Sequence, residues 1–210
     1  LVKQVVGFDM SANIRAFMAI ELPADVKQEL GRVSNLLAGQ LPPHTVLSRA
    51  VRWVQPGNMH LTLRFLGDTA VTQLLPLSQQ LDQLAARHTP FSLQLERLGC
   101  FPNPKRPRVI WVGVAGDNQA LLAVKQELDE RLVPLGWAAE DKPFSAHLTI
   151  GRVADGQSKA TSRRIPPTFN WQLPISPLPF TVHDIRLIES QLTPKGPLYT
   201  VRHTAVLHRA

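Results

Sequence analysis

The sequence writes one short pattern twice. His-Leu-Thr-Leu fills 60–63 inside "NMHLTLRFLGD", and His-Leu-Thr-Ile fills 147–150 inside "FSAHLTIGRV". Both tetrapeptides are β-prone and bounded by turn residues, so each predicts a strand. Side chains alternate between the faces of a strand. His60 and Thr62 therefore share one face while Leu61 and Leu63 take the other, and His147 and Thr149 stand in the same relation to Leu148 and Ile150. The leucine faces have the bulk to enter a core. Each opposite face then presents an imidazole beside a hydroxyl. Each copy follows a strand-and-helix unit, which predicts two structurally similar lobes.

The rest of the chain fits that plan. "IRAFMAIEL" (14–22) reads as a buried strand that stops at Pro23, and Val26, Leu30, Val33 and Leu37 then recur at helical spacing. "VRWV" (51–54) is a short strand. Leu74, Leu77, Leu81 and Leu84 mark a helix within 72–87, where Pro76 must lie in the first turn or kink it. Strands are expected over 91–98 and 108–114, joined by the rigid, basic "GCFPNPKRPR". A third helix is expected over 118–135, opened by the capping residues of "GDN". Two strands near 180–189 and 199–207 close the chain. With no Gly-rich βαβ fingerprint and no long linker, the class is α+β with largely antiparallel pairing. The 210 residues suffice for one domain of two lobes, taken as 14–210, with 1–13 an extension outside the fold and Met10 a candidate start.

Composition narrows the partner. A net charge of +7 favours an anionic one, nucleic acid first, although a merely basic soluble protein has the same balance. The single cysteine, Cys100, permits no intramolecular disulfide and suits a reducing compartment, hence a cytoplasmic protein. No run approaches the ~18 apolar residues of a membrane span. No exposed apolar stripe demands a second copy, so a monomer is expected.

Two imidazoles and two hydroxyls suggest chemistry on a phosphodiester. An unperturbed histidine titrates near ~6.5, so small changes of environment can leave one imidazole neutral and the other protonated. One can take a proton from water while the other gives one to a departing alkoxide. The hydroxyls of Thr62 and Thr149 can donate to the non-bridging oxygens of the phosphate. Arg152, five residues beyond His147, is a candidate clamp on the same group. A zinc ion between His60 and His147 is the alternative from the same residues, but neither motif contains a second metal ligand. No Walker loop and no Gly-x-Ser-x-Gly elbow is present.

At this point the chain resembles a known family. The paired His-x-Thr motifs are similar to those of the 2H phosphoesterase superfamily, and within it to the RNA 2′,3′-cyclic phosphodiesterases, also called 2′-5′ RNA ligases. "RAFMAIELP", "WVQPGNMHLTLRFLGD", "FPNPKRPRVIWVGV", "KPFSAHLTIGR" and "ESQLTPKGPLYTV" each resemble a block of that family, in order. One departure is Ala146, where relatives often carry proline before the second histidine.

The resemblance implies a bilobed fold whose two pseudo-symmetric lobes of mainly antiparallel sheet, with outer helices, enclose a central cleft. It implies no cofactor and no metal, and as partner an RNA ending in a 2′,3′-cyclic phosphate, which is opened to a 2′-phosphomonoester. The joining of such an end to a 5′-hydroxyl is the second activity it implies. In that scheme His60 protonates the departing O3′ and His147 activates water. Phe65, Phe144 and Tyr199 are candidate contacts to the substrate, with packing as the plainer role of each. Trp53 and Trp111 are expected in the core. Lys105, Arg106 and Arg108, and likewise Arg163 and Arg164, either guide an RNA backbone or form solvated loops. A phosphodiesterase for small cyclic nucleotides and a non-catalytic RNA-binding module are the rival functions.

Overall fold

The computed structural model describes residues 12–43, 48–49, 51–153, 169–194 and 196–208. Arg163, Arg164 and His44 lie outside these residues. The order is β1 (Asn13–Glu21), α1 (Ala24–Gly39), β2 (Val51–Trp53), β3 (His60–Ala70), α2 (Leu74–Ala85), β4 (Phe91–Phe101), β5 (Val109–Gly116), α3 (Asn118–Leu132), β6 (His147–Val153), β7 (Pro179–Val182), β8 (Asp184–Thr193) and β9 (Gly196–Val206). The α+β class is as expected.

The strands pair antiparallel in the order β7-β4-β5-β6-β3-β1-β8-β9, with β2 on the free part of β6. The sheet falls into two halves, β7-β4-β5-β6 with β2 and β3-β1-β8-β9. They meet where β3 touches β6, and there the ladder consists of one pair, Leu61 with Leu148. Both leucines are fully buried. Truncating either to alanine should cost roughly 2–5 kcal/mol, and the loss would fall on the seam between the lobes.

The expected strand near 180–189 is two strands. β7 pairs with β4 in one half and β8 with β1 in the other, and only His183 separates them. The sheet therefore curls until these distant parts adjoin. One core runs through both halves: Met18 and Ile20 of β1, Leu61 and Leu63 of β3, Val112 and Val114 of β5, and Leu148 and Ile150 of β6 meet the apolar stripes of all three helices. The helix positions expected from periodicity, among them Leu30, Leu81 and Leu128, are buried there.

Local chemistry sets the ends of the helices. Asp117 caps α3 by accepting from the Ala120 N–H at 2.9 Å. The α-helix stops at Leu132 rather than Leu135, because Pro134 cannot donate and the chain tightens into a 3₁₀ turn ending at Gly136, φ 100°. Pro76 lies in the first turn of α2, where a missing N–H costs nothing. Pro23 stands one residue ahead of α1 rather than inside it. β1 begins at Asn13, paired with Ala70, so strand pairing starts one residue before Ile14.

Candidate active site

The single Leu61–Leu148 pair fixes how the two motifs face each other. An antiparallel register carried one residue to each side of it sets His60 opposite Thr149 and Thr62 opposite His147. The leucines point into the core, so all four polar side chains stand on the other face. Imidazoles occupy one diagonal of a square and hydroxyls the other.

Each motif then carries a bulge at the same place. Leu63 is the extra residue of β3 against β1, and Ile150 is the extra residue of β6 against β5. A bulge reverses the alternation beyond it. Simple alternation would put Arg64 beside Thr62 and bury Phe65. Instead Arg64 is buried and Phe65, 62% exposed, turns to the cleft. In β6 the same reversal buries Gly151 and exposes Arg152.

Both histidines are oriented alike. Nδ1 of His60 lies 2.9 Å from the Asn58 carbonyl, and Nδ1 of His147 lies 2.7 Å from the Ser145 carbonyl, each two residues back. A carbonyl only accepts, so Nδ1 carries the proton and Nε2 is the nitrogen left for chemistry. The Asn58 amide donates to the Pro197 carbonyl at 3.0 Å and so ties this turn to the start of β9.

Their surroundings differ. His60 stacks on Phe17 with ring centres 4.7 Å apart and meets Tyr199 edge-on at 5.3 Å. Phe17, Ala19 and Ile188, with Tyr199 against them, form a small apolar cluster of their own on this face. That burial pushes the His60 imidazole down from 6.5 to about 4; the Asn58 carbonyl and Glu21 oppose the fall, while Lys27 and Arg152 add to it. Burial also raises the Tyr199 hydroxyl. His147 meets Phe101 edge-on at 5.0 Å and lies 6.4 Å from Trp111.

Trp111 was expected in the core. It stands opposite Thr149 in the ladder and is half-buried on the cleft face. Its ring lies flat across Gly99, where a methyl group would sit 2.3 Å from ring carbons. Trp53 does pack against the core, as expected.

A cavity of about 460 Å³ opens beside Thr62 and His147, walled by Phe65, Phe144 and the 139–145 segment. Two buried cations, half-buried Asp129 and exposed Glu140 hold that wall. Arg64 Nη1 reaches Asp129 at 3.2 Å and Glu140 at 3.5 Å, and Nη2 donates to the Ala138 carbonyl. Lys125 pairs with Asp129 and, at 2.9 Å, with Glu140, and its ammonium lies 5.6 Å from the centre of the Phe144 ring. The cluster thus links the first motif strand, α3 and the approach to His147. A wider groove between α2 and α3 lies away from the histidines, and its Glu127 is already engaged by His88, Arg131 and Arg87.

The structure accordingly brings together His60, Thr62, His147, Thr149, Phe65, Tyr199 and Arg152, with Phe144 packed into the wall beside them. Arg106 stays exposed in the β4–β5 turn, and Arg108 stands at its end, where its carbonyl accepts from Val153. Cys100 is buried, which pushes its thiol up to about 11. Sequence reasoning missed Phe17, Phe101, Gly99 and the Arg64 cluster. The fivefold apolar run 16–20 was the one available signal for Phe17, since a strand buried on both faces needs a second apolar surface. Among the described residues, no three His, Cys, Asp or Glu side chains gather as a metal site.

Known proteins share this arrangement. A model of LigT-like phosphoesterases matches the chain twice in succession, over 20–111 and over 112–199. The chain belongs to that family. Each match contains one His-x-Thr motif, and each half of the sheet holds one motif strand, β3 or β6. An RNA 2′,3′-cyclic phosphodiesterase of Archaeoglobus fulgidus is 33% identical over 89% of this chain and 96% of its own length. A crystal structure from Thermus thermophilus superposes with a TM-score of 0.73 at 30% identity, covering 92% of this chain and 98% of that one. Escherichia coli LigT complexed with 3′-AMP superposes with a TM-score of 0.69 at 27% identity, covering 94% of this chain and all of that one. The bilobed fold of the family is therefore that of this chain.

Proposed function

We propose that this phosphoesterase opens the 2′,3′-cyclic phosphate at an RNA end to a 2′-phosphomonoester, by proton transfer between two histidines and without a metal. The observation that carries the proposal is the square: Nε2 of each histidine is free, and the two imidazoles occupy opposite corners. In-line displacement at phosphorus needs its base and acid on opposite sides. The relatives named for this reaction and the basic net charge support RNA as the substrate class. The same geometry, run with a 5′-hydroxyl in place of water, gives 2′-5′ joining.

His147 Nε2 takes the proton of the attacking water as its oxygen bonds to phosphorus. The P–O3′ bond breaks, and His60 Nε2–H protonates O3′. Thr62 and Thr149 donate to the non-bridging oxygens, and Arg152 offsets their charge. His60 is neutral in the free protein at pH 7, because its buried cation has no partner of full strength. A phosphodiester anion bound against Nε2 supplies that partner, so His60 takes up its proton from solvent as the substrate binds. Exposed Phe65 and half-buried Tyr199 flank the square and offer apolar faces to the nucleoside.

The test is turnover in EDTA of a short RNA ending in 2′,3′-cyclic phosphate. The unmutated protein should yield a 2′-phosphate, and His60→Ala and His147→Ala should each lose roughly 10²–10⁴-fold. A p-nitrophenyl phosphodiester separates the roles, because its leaving group needs no proton. His60→Ala should recover on it and His147→Ala should not. A 3′-phosphate product, or turnover only when a divalent ion is restored, would overturn the scheme.

A further inference from the structure

The ladder between β2 and β6 sets two arginines face to face. Arg52 pairs with Arg152, between the pairs Val51–Val153 and Trp53–Gly151. Directly opposed residues of an antiparallel ladder share a face. Val51 is buried, and Trp53 and Val153 pack against the core. Arg52 and Arg152 therefore stand together on the opposite face, and both are exposed. Trp53 lies across Gly151, where a methyl group would come within 3.0 Å of its ring. That contact fixes β2 on β6 in this register. Among the described residues neither arginine forms an ion pair.

Like charges placed directly opposite destabilise a sheet. Nothing in the fold needs these two, since either position would accept a neutral β-former. The pair is oriented towards the site. The positive charge of Arg152 is felt at His60 and at Tyr199. Arg52 is one strand spacing, roughly 4.8 Å, from Arg152, on the same edge of β6 that β3 and His60 occupy. A guanidinium there suits a phosphate oxygen that is not the one under attack.

We propose that Arg52, beside Arg152, forms a second anion subsite that takes the phosphate on the 5′ side of the nucleoside bearing the reacting cyclic phosphate. The proposal rests on the function given above. An RNA that ends in a cyclic phosphate has no nucleotide beyond it, so the next phosphate along the chain is the 5′ one. The subsite distinguishes an RNA end from a bare nucleoside cyclic phosphate.

The experiment compares kcat/KM on adenosine 2′,3′-cyclic phosphate with and without a 5′-phosphate. In the unmutated protein at low salt the 5′-phosphate should raise kcat/KM about tenfold, and the gain should shrink as salt screens it. Arg52→Gln should bring the ratio to about one, and Arg52→Lys should keep part of it. A ratio unchanged in Arg52→Gln, or near one in the unmutated protein, overturns the subsite while leaving the proposed reaction intact. Titration calorimetry with adenosine 2′-monophosphate and adenosine 2′,5′-bisphosphate reads the same preference without turnover. An Arg52-dependent preference for the bisphosphate, with neither cyclic substrate hydrolysed, would sustain the subsite and overturn the reaction.

Discussion

Burial of His60 makes the stability of this protein depend on pH in a window set by one residue. Its imidazole titrates at about 4 in the fold against 6.5 when unperturbed. A group depressed in the folded state binds its proton more readily in the unfolded chain. Between 6.5 and 4 the unfolded state therefore gains protons that the folded state does not, and stability falls as pH falls. The contribution is complete above pH 6.5 and lost below about 4. Its full size is roughly 3 kcal/mol, and about 2 kcal/mol of it is gone at pH 5.

The perturbation is His60→Gln, which fills similar space with nothing to protonate. Urea unfolding at pH 7.5 and pH 5 is measured for both proteins. The unmutated protein should lose about 2 kcal/mol more than the variant between those conditions. With a urea slope of roughly 2 kcal/mol/M that is a relative midpoint shift of about 1 M. Glu29 does not interfere. Its pairing with Arg32 holds it down to about 2, so its share of stability is present above 4.5 and lost only as pH falls towards 2. Groups common to both proteins cancel in the difference. Parallel losses in the two proteins would refute the reasoning, because His60 would then carry the same proton in both states.

Two further outcomes follow from the walls of the cleft. Asp129→Asn leaves Arg64 and Lys125, both nearly buried, sharing Glu140 alone; it should cost about 3 kcal/mol by denaturant melts, and kcat should fall because the segment carrying the Ser145 carbonyl loosens behind His147. Gly99→Ala forces the Trp111 ring off its seat; the indole fluorescence should shift and kcat/KM should drop, whereas an unchanged spectrum and rate would show that the ring does not shape the site.

The sequence revealed the polar faces of both motifs because leucine bulk and a period of two point the same way at 60–63 and 147–150. It revealed the helices because their apolar stripes repeat cleanly. It did not reveal what lies one residue past each tetrapeptide. The bulges at Leu63 and Ile150 leave no mark in residue type, and each reverses the faces of the two residues that follow it. Alternation alone would therefore bury Phe65 and Arg152 and expose Arg64. Resemblance to a family supplied Phe65, and the match of guanidinium to phosphate suggested Arg152, but neither gave its face; the bulges do. Arg52 stayed hidden because its neighbour across the sheet is a hundred residues away in sequence, and only the β2–β6 register joins them.

The two bulges also explain how a symmetric site acquires a direction. His60 and His147, Thr62 and Thr149, Leu63 and Ile150 correspond across the lobes, so the square alone cannot distinguish the two ends of a substrate. The residues exposed just beyond the bulges can. Phe65 follows His60 by the same five positions as Arg152 follows His147, and the two are an exposed aromatic ring and an exposed guanidinium. A nucleoside gains by lying against the first, and a phosphate by lying against the second. The histidines differ in the same sense, half-buried His60 being packed between Phe17 and Tyr199 while His147 meets Phe101 edge-on with its hydrogen bond exposed. Water reaches the open histidine more readily, which suits His147 as the base. In the proposed reaction the more enclosed one, His60, shields the proton taken up with the substrate until O3′ departs. For that proposed reaction, duplication provides the acid–base pair, and departures from it at two matched positions favour these roles.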